Sequence, residues 1–230
     1  MPTNDLNQAI GVPLVWTPRP QPPRTPMTGR FCRVEPIDVE RDAADLYDAN
    51  TKPANWTYFS YGPFEDFDSY RRWFADMAVL DDPLFFAIVD INSGKAVGVA
   101  AYMRIDPANG VIEVGHLNFS PALQRTAAAT EAMYLMMRRA FDELGYRRYE
   151  WKCDSLNMPS RRAAERFGFT YEGTFRQAIV YKNRNRDTTW YSIIDSEWPA
   201  RKRAFEGWLA PANFDAAGHQ RHSLAAFMRW

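Results

Sequence analysis

The chain has 230 residues, of which 46% are apolar and 15% aromatic, enough for one domain with a sizeable core. Its 28 basic and 28 acidic residues cancel, which argues against nucleic acid as the main partner, because nucleic-acid binding favours a basic excess. Two cysteines make no disulfide framework, no stretch approaches the roughly 20 apolar residues of a membrane span, and no signal peptide is recognisable, so we expect a cytoplasmic protein that does not bind membranes.

The first 28 residues are rich in proline, with six prolines between positions 13 and 26. Proline has no backbone N–H and is excluded from helix interiors and central strands, so residues 1–28 are predicted to form an extended arm. Patterns typical of strands and helices occupy residues 29–210, the predicted domain. Residues 211–230 follow as a tail with a basic and aromatic end.

Within the domain, the hydrophobic pattern alternates between the period of a strand and the period of a helix. The clearest helix carries one apolar stripe from Met133 to Leu144 and ends at Gly145. This order of elements predicts an α/β or α+β fold with a mixed sheet. In chain order we expect a strand at 30–36, two helices at 38–49 and 65–80, and three strands at 84–89, 96–104 and 111–119. The striped helix follows at 133–144, then a strand at 147–153 and a short helix at 159–167. Two strands at 169–181 and 188–198 and a last helix at 199–209 complete the domain.

A turn of small residues joins the strand at 111–119 to the striped helix. Small side chains let an anion approach backbone N–H groups, and a helix N-terminus adds about half a unit of positive charge. Arg125 lies in this turn, where its guanidinium can contact a phosphate. The turn is therefore a candidate pyrophosphate site, although Ala127, Ala128 and Ala129 are equally explained as good helix formers.

Two motifs resemble those of a known superfamily. The run Gln124-Arg125-Thr126-Ala127-Ala128-Ala129 resembles the coenzyme A pyrophosphate loop of the GNAT acetyltransferases, with Ala127 where glycine is common. The runs Asn157-Met158-Pro159-Ser160 and Arg166-Phe167-Gly168-Phe169 resemble the second motif of the family. The run Glu113-Val114-Gly115-His116 resembles the corresponding segment of the RimJ/RimL-type branch. Members of this branch acetylate protein N-termini and small amines. The resemblance covers residues 29–200.

The resemblance implies a mainly antiparallel sheet of six to seven strands, flanked by helices. It also implies a splay between the strands at 111–119 and 147–153 that accepts the pantetheine arm of acetyl-CoA. No metal is implied. The residues expected to hold the cofactor are Leu117, Asn118 and Phe119 along the arm, Gln124, Arg125, Thr126, Ala127, Ala128, Ala129 and Thr130 at the pyrophosphate, and Asn157 and Ser160 on the short helix.

In the reaction that the resemblance implies, an amine attacks the thioester directly, so a base must take its proton and a donor must protonate the thiolate. Ser160 is the candidate donor, although it could instead cap its helix. Glu113 and His116 are the candidate bases, although a solvated strand face and a structural histidine explain them equally well. Their odd spacing on one strand predicts that they face opposite sides of the sheet.

The acceptor is expected to lie against an aromatic loop that contains the candidate substrate-binding residues Trp56, Tyr58, Phe59 and Tyr61. Trp190 and Tyr191 are further candidates for this wall. A small-molecule amine and a protein N-terminus both remain open, and a ribosomal-protein substrate would be helped by an acidic patch at Asp66, Asp68, Asp76, Asp81 and Asp82. The alternative function is a non-catalytic acyl-CoA-binding module on the same fold. A homodimer packed through the arm and the tail is a further expectation.

Overall fold

The computed structural model describes residues 1–228, and its centre is one eight-stranded sheet. Its strands are β1 (Met27–Thr28), β2 (Cys32–Pro36), β3 (Leu84–Asp90), β4 (Ala96–Asp106), β5 (Val111–Phe119), β6 (Arg148–Asp154), β7 (Thr170–Tyr181) and β8 (Arg184–Ile194). Its helices are α1 (Val39–Ala49), α2 (Phe67–Ala78), α3 (Ala127–Arg138), α4 (Met158–Arg166), α5 (Trp198–Leu209) and α6 (Leu224–Phe227). Shorter helical turns are Pro53–Trp56, Arg139–Glu143 and Pro211–Asn213.

The strands lie in the order β1-β2-β3-β4-β5-β6-β8-β7, and every neighbouring pair is antiparallel except β5 and β6. The predicted fold class, a mixed and mainly antiparallel sheet flanked by helices, is therefore confirmed. The sheet has eight strands where six or seven were predicted. The added strand is β1, because the end of the proline-rich arm pairs with Arg33 and Val34 of β2.

The predicted splay lies between the two parallel strands. β5 and β6 pair only from Val111 opposite Arg148 to Val114 opposite Trp151. Beyond this point β6 remains paired with β8, and β5 remains paired with β4. The second half of β5 therefore presents an edge without a partner strand on its β6 side, inside the sheet.

Helices cover both faces of the sheet, and each face has its own apolar core. The stripe of α3, with Met133, Met136 and Met137 fully buried, packs with α5 on one face. On the other face, α1 and α2 bury an aromatic cluster that includes Tyr70 and Phe74. Strand alternation supplies both cores, since consecutive residues of β4 point to opposite faces.

Polar side chains fix where the helices begin. Asp38 caps α1 by accepting a hydrogen bond from the backbone N–H of Arg41. Asp66 and Ser69 cap α2 reciprocally. Thr126 caps α3 through the N–H of Ala129, so the helix begins at the residue that follows the candidate phosphate turn.

One buried carboxylate ties the start of the domain to its central helix. Glu131 of α3 accepts hydrogen bonds from the backbone N–H groups of Arg30 (2.7 Å), Phe31 (2.6 Å) and Cys32 (2.9 Å). A Cβ atom at Gly29 would lie 2.2 Å from the Glu131 carboxyl carbon, so this turn needs glycine. The contact holds α3 against β2 across about a hundred residues of sequence.

The arm lies along the domain from Trp16 onward. The Trp16 indole N–H donates to the carbonyl of Ala108 (2.7 Å), and the Tyr146 hydroxyl donates to the carbonyl of Pro20 (3.1 Å). The predicted end of the tail, Arg229 and Trp230, lies outside the described residues. No helix within residues 1–228 is both long and apolar enough to cross a bilayer.

Candidate active site

A single cleft of about 1410 Å³ begins at the N-terminus of α3, follows the splay between β5 and β6, and reaches the aromatic loop before α2. Both sequence motifs open into it, because α3 and α4 begin at its walls. The structure therefore brings together most of the residues that the sequence singled out. We describe the cleft from its α3 end to its aromatic end.

The α3 end has the form of an anion site. Arg125 adopts a left-handed backbone conformation, with φ of 64°, and its side chain is exposed. Ala127 is the first helical residue, so the glycine common in the family is not required there. The N–H groups in the first turn of a helix have no acceptor within that helix. At the start of α3, the side-chain oxygen of Thr126 accepts from the N–H of Ala129.

The side chains next to Arg125 differ in what they contact. The Gln124 amide donates to the carbonyl of Phe119 (2.8 Å), so this side chain holds the end of β5. Thr130 lines the cleft and accepts a hydrogen bond from Arg166 (3.1 Å). Ala129 also lines the cleft, but Ala128 faces a separate small hollow.

Along the splay, Leu117, Asn118 and Phe119 line the cleft on the β5 side. The other edge of β5 is paired with β4, where Asn118 pairs with Val99 and Phe119 pairs with Gly98. The edge toward β6 is where an extended ligand can pair with backbone groups.

The N-terminus of α4 forms the facing wall. Asn157 caps the helix by accepting from the backbone N–H of Ser160 (3.2 Å). The Ser160 hydroxyl oxygen accepts a hydrogen bond from the Trp151 indole N–H (3.0 Å). Because an indole N–H only donates, the hydroxyl proton of Ser160 is left to be donated elsewhere. The cap therefore belongs to Asn157, and the side chain of Ser160 does not serve as the cap.

The prediction that Glu113 and His116 face opposite sides of the sheet is wrong. Ala101 pairs with Gly115 and Val99 pairs with Asn118, so β5 has one extra residue at this point. His116 takes up this bulge with φ of 48°. Both side chains consequently line the same cleft.

His116 packs among aromatic rings. The Tyr61 hydroxyl lies 2.9 Å from Nδ1 of His116, and the rings of Tyr61 and Phe85 lie against the imidazole. Burial, with a smaller contribution from Arg104, lowers the pKa of His116 to about 4. The imidazole is therefore neutral at pH 7 and only weakly basic.

Glu113 belongs to a buried ion network. Its Oε2 atom lies 2.9 Å from the Lys152 ammonium and 2.7 Å from the Arg104 guanidinium. The same ammonium lies 2.7 Å from Glu150 and 3.6 Å from the centre of the Trp190 ring. Lys152 and Glu113 are 5% and 4% exposed, whereas Arg104 is 51% exposed at the mouth of the cleft.

The aromatic loop forms the far wall. Tyr58, Phe59 and Tyr61 line the cleft, but Trp56 does not. Trp56 is 3% exposed and donates to the carbonyl of Asn50, so it supports the wall from beneath. The hairpin of β7 and β8 reaches this loop, where the Lys182 ammonium donates to the carbonyl of Trp56 (2.9 Å).

Trp190 and Tyr191, the further candidates for the acceptor wall, lie away from it. Tyr191 is fully buried, and its hydroxyl contacts α4 through Arg161 and Glu165. Trp190 acts through its ring contact with Lys152.

Several residues that line the cleft were not predicted. Lys152 had a usable signal, since Arg148, Glu150 and Lys152 alternate in charge along one face of β6, and such charges need ion-pair partners if that face is buried. Other residues had no such signal, because only tertiary folding brings them to the cleft. These are Arg104 on β4, Arg162 on α4, Tyr181 on β7, and Phe214, His219 and Gln220 in the tail.

Comparison with known proteins gives a consistent result. A family model described as an acetyltransferase (GNAT) domain matches residues 33–170. The crystal structure of a GCN5-related N-acetyltransferase from Brucella melitensis is 50% identical, with a TM-score of 0.90 over 93% of this chain and 98% of that chain. The Bacillus subtilis (strain 168) protein named "Putative ribosomal N-acetyltransferase YdaF" is 25% identical over 177 residues, 74% of this chain and 92% of that protein. The ribosomal-protein-serine acetyltransferase of Escherichia coli (strain K12) is 29% identical over 104 residues, 45% of this chain and 58% of that protein.

The family match spans well over half of the chain and contains both sequence motifs, the splay and the N-termini of α3 and α4. The named relatives agree with the RimJ/RimL-type resemblance found in the sequence. The chain therefore belongs to the GNAT acetyltransferase family and is an acyltransferase of its RimJ/RimL-type branch.

Proposed function

We propose that this protein transfers an acetyl group from acetyl-CoA directly to a primary amine, with both substrates bound at once. The observation that carries this proposal is the continuity of the cleft. One cavity holds the anion site at α3, the unpaired edge of β5, the Ser160 hydroxyl and the aromatic wall. A long thioester and an amine can therefore meet at the splay without a covalent enzyme intermediate.

The chemistry of the residues fits acetyl-CoA. Arg125 and the N-terminal amides of α3 suit the pyrophosphate, and the edge at 117–119 suits the amide groups of the pantetheine arm. When bound, acetyl-CoA supplies the activated acetyl thioester. The protein supplies orientation, because the arm is held between β5 and the start of α4.

Ser160 is the residue that we assign to protonate the departing sulfur. Trp151 occupies an acceptor position of the Ser160 hydroxyl, which orients the remaining proton away from the indole. A hydroxyl held in this way can donate to a thiolate without a change of rotamer.

Glu113, rather than His116, is the residue that we assign to take the proton from the amine. Nδ1 of His116 is engaged by the Tyr61 hydroxyl, and its ring is packed against Tyr61 and Phe85. Both cations near Glu113 contact Oε2, which leaves Oε1 to accept a proton, directly or through a water molecule. The bulge at His116 supports this role, since it leaves Glu113 and the aromatic wall on one side of the sheet.

The acceptor that fits this cleft best is a primary amine next to an apolar or aromatic group. Tyr58, Phe59 and Tyr61 offer rings rather than charges. Two members of the suggested acidic patch are engaged elsewhere, since Asp66 caps α2 and Asp82 accepts from the N–H groups of Arg104 and Ile105. A small amine is therefore favoured over a basic ribosomal protein, although the names of the relatives make N-terminal peptides the necessary comparison.

Calorimetry of acetyl-CoA binding is the first test. We expect saturable binding to the wild type, weakened about tenfold or more by Arg125→Glu, because the new carboxylate repels the pyrophosphate. The matched control is Arg72→Glu, which makes the same charge change on α2, outside the residues that line the cleft. The absence of binding to the wild type would contradict the proposal.

Release of free thiol, measured across a panel of aryl and alkyl amines and N-terminal peptides, then identifies the acceptor class. We expect the fastest release with amines that carry an apolar or aromatic group. Binding of acetyl-CoA with no acceptor-dependent release across the panel would instead support a non-catalytic acyl-CoA-binding module.

A further inference from the structure

The tail that follows α5 folds into a hairpin, here called the tail hairpin (residues 213–222). Phe214 pairs with Gln220 across the turn, and Asp215 accepts hydrogen bonds from the N–H groups of Ala217 and His219. This segment lies outside the part of the chain that the family model matches.

A buried asparagine holds the tail hairpin in place. Asn213 is 4% exposed, and its side-chain amide donates to the carbonyl of Trp208 (2.8 Å). Its side-chain oxygen accepts from the N–H of His222 (2.9 Å), which closes the base of the hairpin. Phe214 packs against the rings of Phe31 (5.2 Å) and Trp208 (5.6 Å), so the hairpin has a fixed seat on the domain.

A chain of contacts places the tail hairpin at the α3 end of the cleft. Phe214 touches Trp208, and the guanidinium of Arg166 lies 5.7 Å from the centre of the Trp208 ring. Arg166 in turn donates to Thr130, in the first turn of α3. Phe214, Gly218, His219 and Gln220 line the cleft together with these residues.

This corner of the cleft holds more cationic and donor groups than one pyrophosphate site requires. Arg125 stands at the start of α3, whereas Arg162 and Arg166 stand four residues apart on α4. His219 faces the same cavity from the tail hairpin. Its Nδ1 atom lies 3.4 Å from the Asp215 carboxylate, which leaves Nε2 for a ligand.

We propose that the tail hairpin and the exposed face of α4 form a second anion subsite, which binds the 3′-phosphate of the adenosine end of coenzyme A. This inference rests on the proposed function. Coenzyme A carries two separate phosphoryl groups, the pyrophosphate and the 3′-phosphate of the ribose. Arg125 and the α3 amides bind the pyrophosphate. The side chains that bind the 3′-phosphate are those of Arg162, Arg166 and His219. The half-buried ring of Phe214 provides a surface for the adenine.

The test compares the dissociation constants of coenzyme A and 3′-dephospho-coenzyme A, measured by calorimetry on the full chain. We expect the wild type to bind coenzyme A about tenfold or more tightly, because a charge-assisted phosphate contact is lost in the dephospho form. His219→Glu should weaken coenzyme A binding by a similar factor and leave dephospho-coenzyme A nearly unchanged. Arg162→Glu should act in the same way from the α4 side.

The matched control is His222→Glu, which makes the same charge change in the same hairpin but outside the residues that line the cleft. The side chain of His219 is 81% exposed, so its substitution is not expected to unfold the protein, and a thermal melt checks this. Equal wild-type affinity for the two ligands, or the same selectivity in His219→Glu and His222→Glu, overturns the subsite and leaves the proposed function standing. Failure of the wild type to bind either ligand overturns the proposed function itself.

Discussion

The two ends of the cleft are built in different ways. At the α3 end, contiguous residues from Gln124 to Thr130 form a turn, a helix cap and the proposed anion site, and the arginines beside them are exposed. At the acceptor end, the ion network joins Arg104, Glu113, Glu150 and Lys152 from three strands, mostly buried. A local site can lose a side chain without loss of the fold, whereas a buried network couples binding to stability.

The largest effect is expected for Lys152→Ala at the acceptor end. The substitution leaves Glu113 and Glu150 buried without their shared cation, which should lower the free energy of unfolding by about 3–5 kcal/mol. Urea unfolding measures this change. The control is Arg104→Gln, which also removes a partner of Glu113 but at an exposed position, with an expected loss of about 1 kcal/mol or less. Equal losses in the two variants would mean that burial does not set the cost of removing a cation from Glu113.

The second prediction concerns the pH dependence of stability. The pKa of His116 is about 4 in the folded protein, below the value of about 6.5 in an unfolded chain. Its contribution to stability is therefore complete above about pH 6.5 and is lost as the pH falls from 6.5 to 4, by roughly 2–3 kcal/mol. Unfolding of wild type and His116→Gln between pH 7 and pH 4 measures it, and the variant should show the shallower decline. Parallel curves would contradict the assignment.

Ser160→Ala lies between the two ends and should act mainly on catalysis, with a loss of about 1–3 kcal/mol in stability because the buried Trp151 indole N–H loses its acceptor. Without its donor, kcat should fall about 100-fold, with the affinity for acetyl-CoA nearly unchanged. Steady-state kinetics and calorimetry separate the two quantities. Ser155→Ala, at the end of β6 and outside the residues that line the cleft, is the matched control. A fall in affinity alone would show that Ser160 only holds the cofactor.

The smallest effect is expected for Thr126→Ala at the α3 end. Loss of the helix cap should lower the free energy of unfolding by about 1 kcal/mol, measured by urea unfolding. Thr57→Ala, in the aromatic loop, serves as the control, because Thr57 ends the turn Pro53–Trp56 through its backbone N–H and not through its side chain. A loss as large as that of Lys152→Ala would remove the contrast between the local end and the networked end.

The same contrast explains what sequence reasoning could reach. The candidate anion turn and the α3 stripe each depend on neighbouring residues, and the family resemblance identified the fold and its splay. The cap of α4 was assigned to Ser160 as an alternative, whereas Asn157 provides it. The bulge at His116 was out of reach, because it arises from pairing with β4 and not from any local signal. Trp56 was misjudged for a similar reason, since an aromatic run does not reveal which ring faces inward.

The contact of Glu131 with the turn at 30–32 has a consequence for synthesis. The N-terminal turn leaves the ribosome about a hundred residues before its carboxylate partner. At translation rates of roughly 5–20 residues per second, β1 and β2 wait about 5–20 seconds for α3. During this interval β1 and β2 lack the Glu131 contact, so the turn at 30–32 is fixed only after α3 has been made.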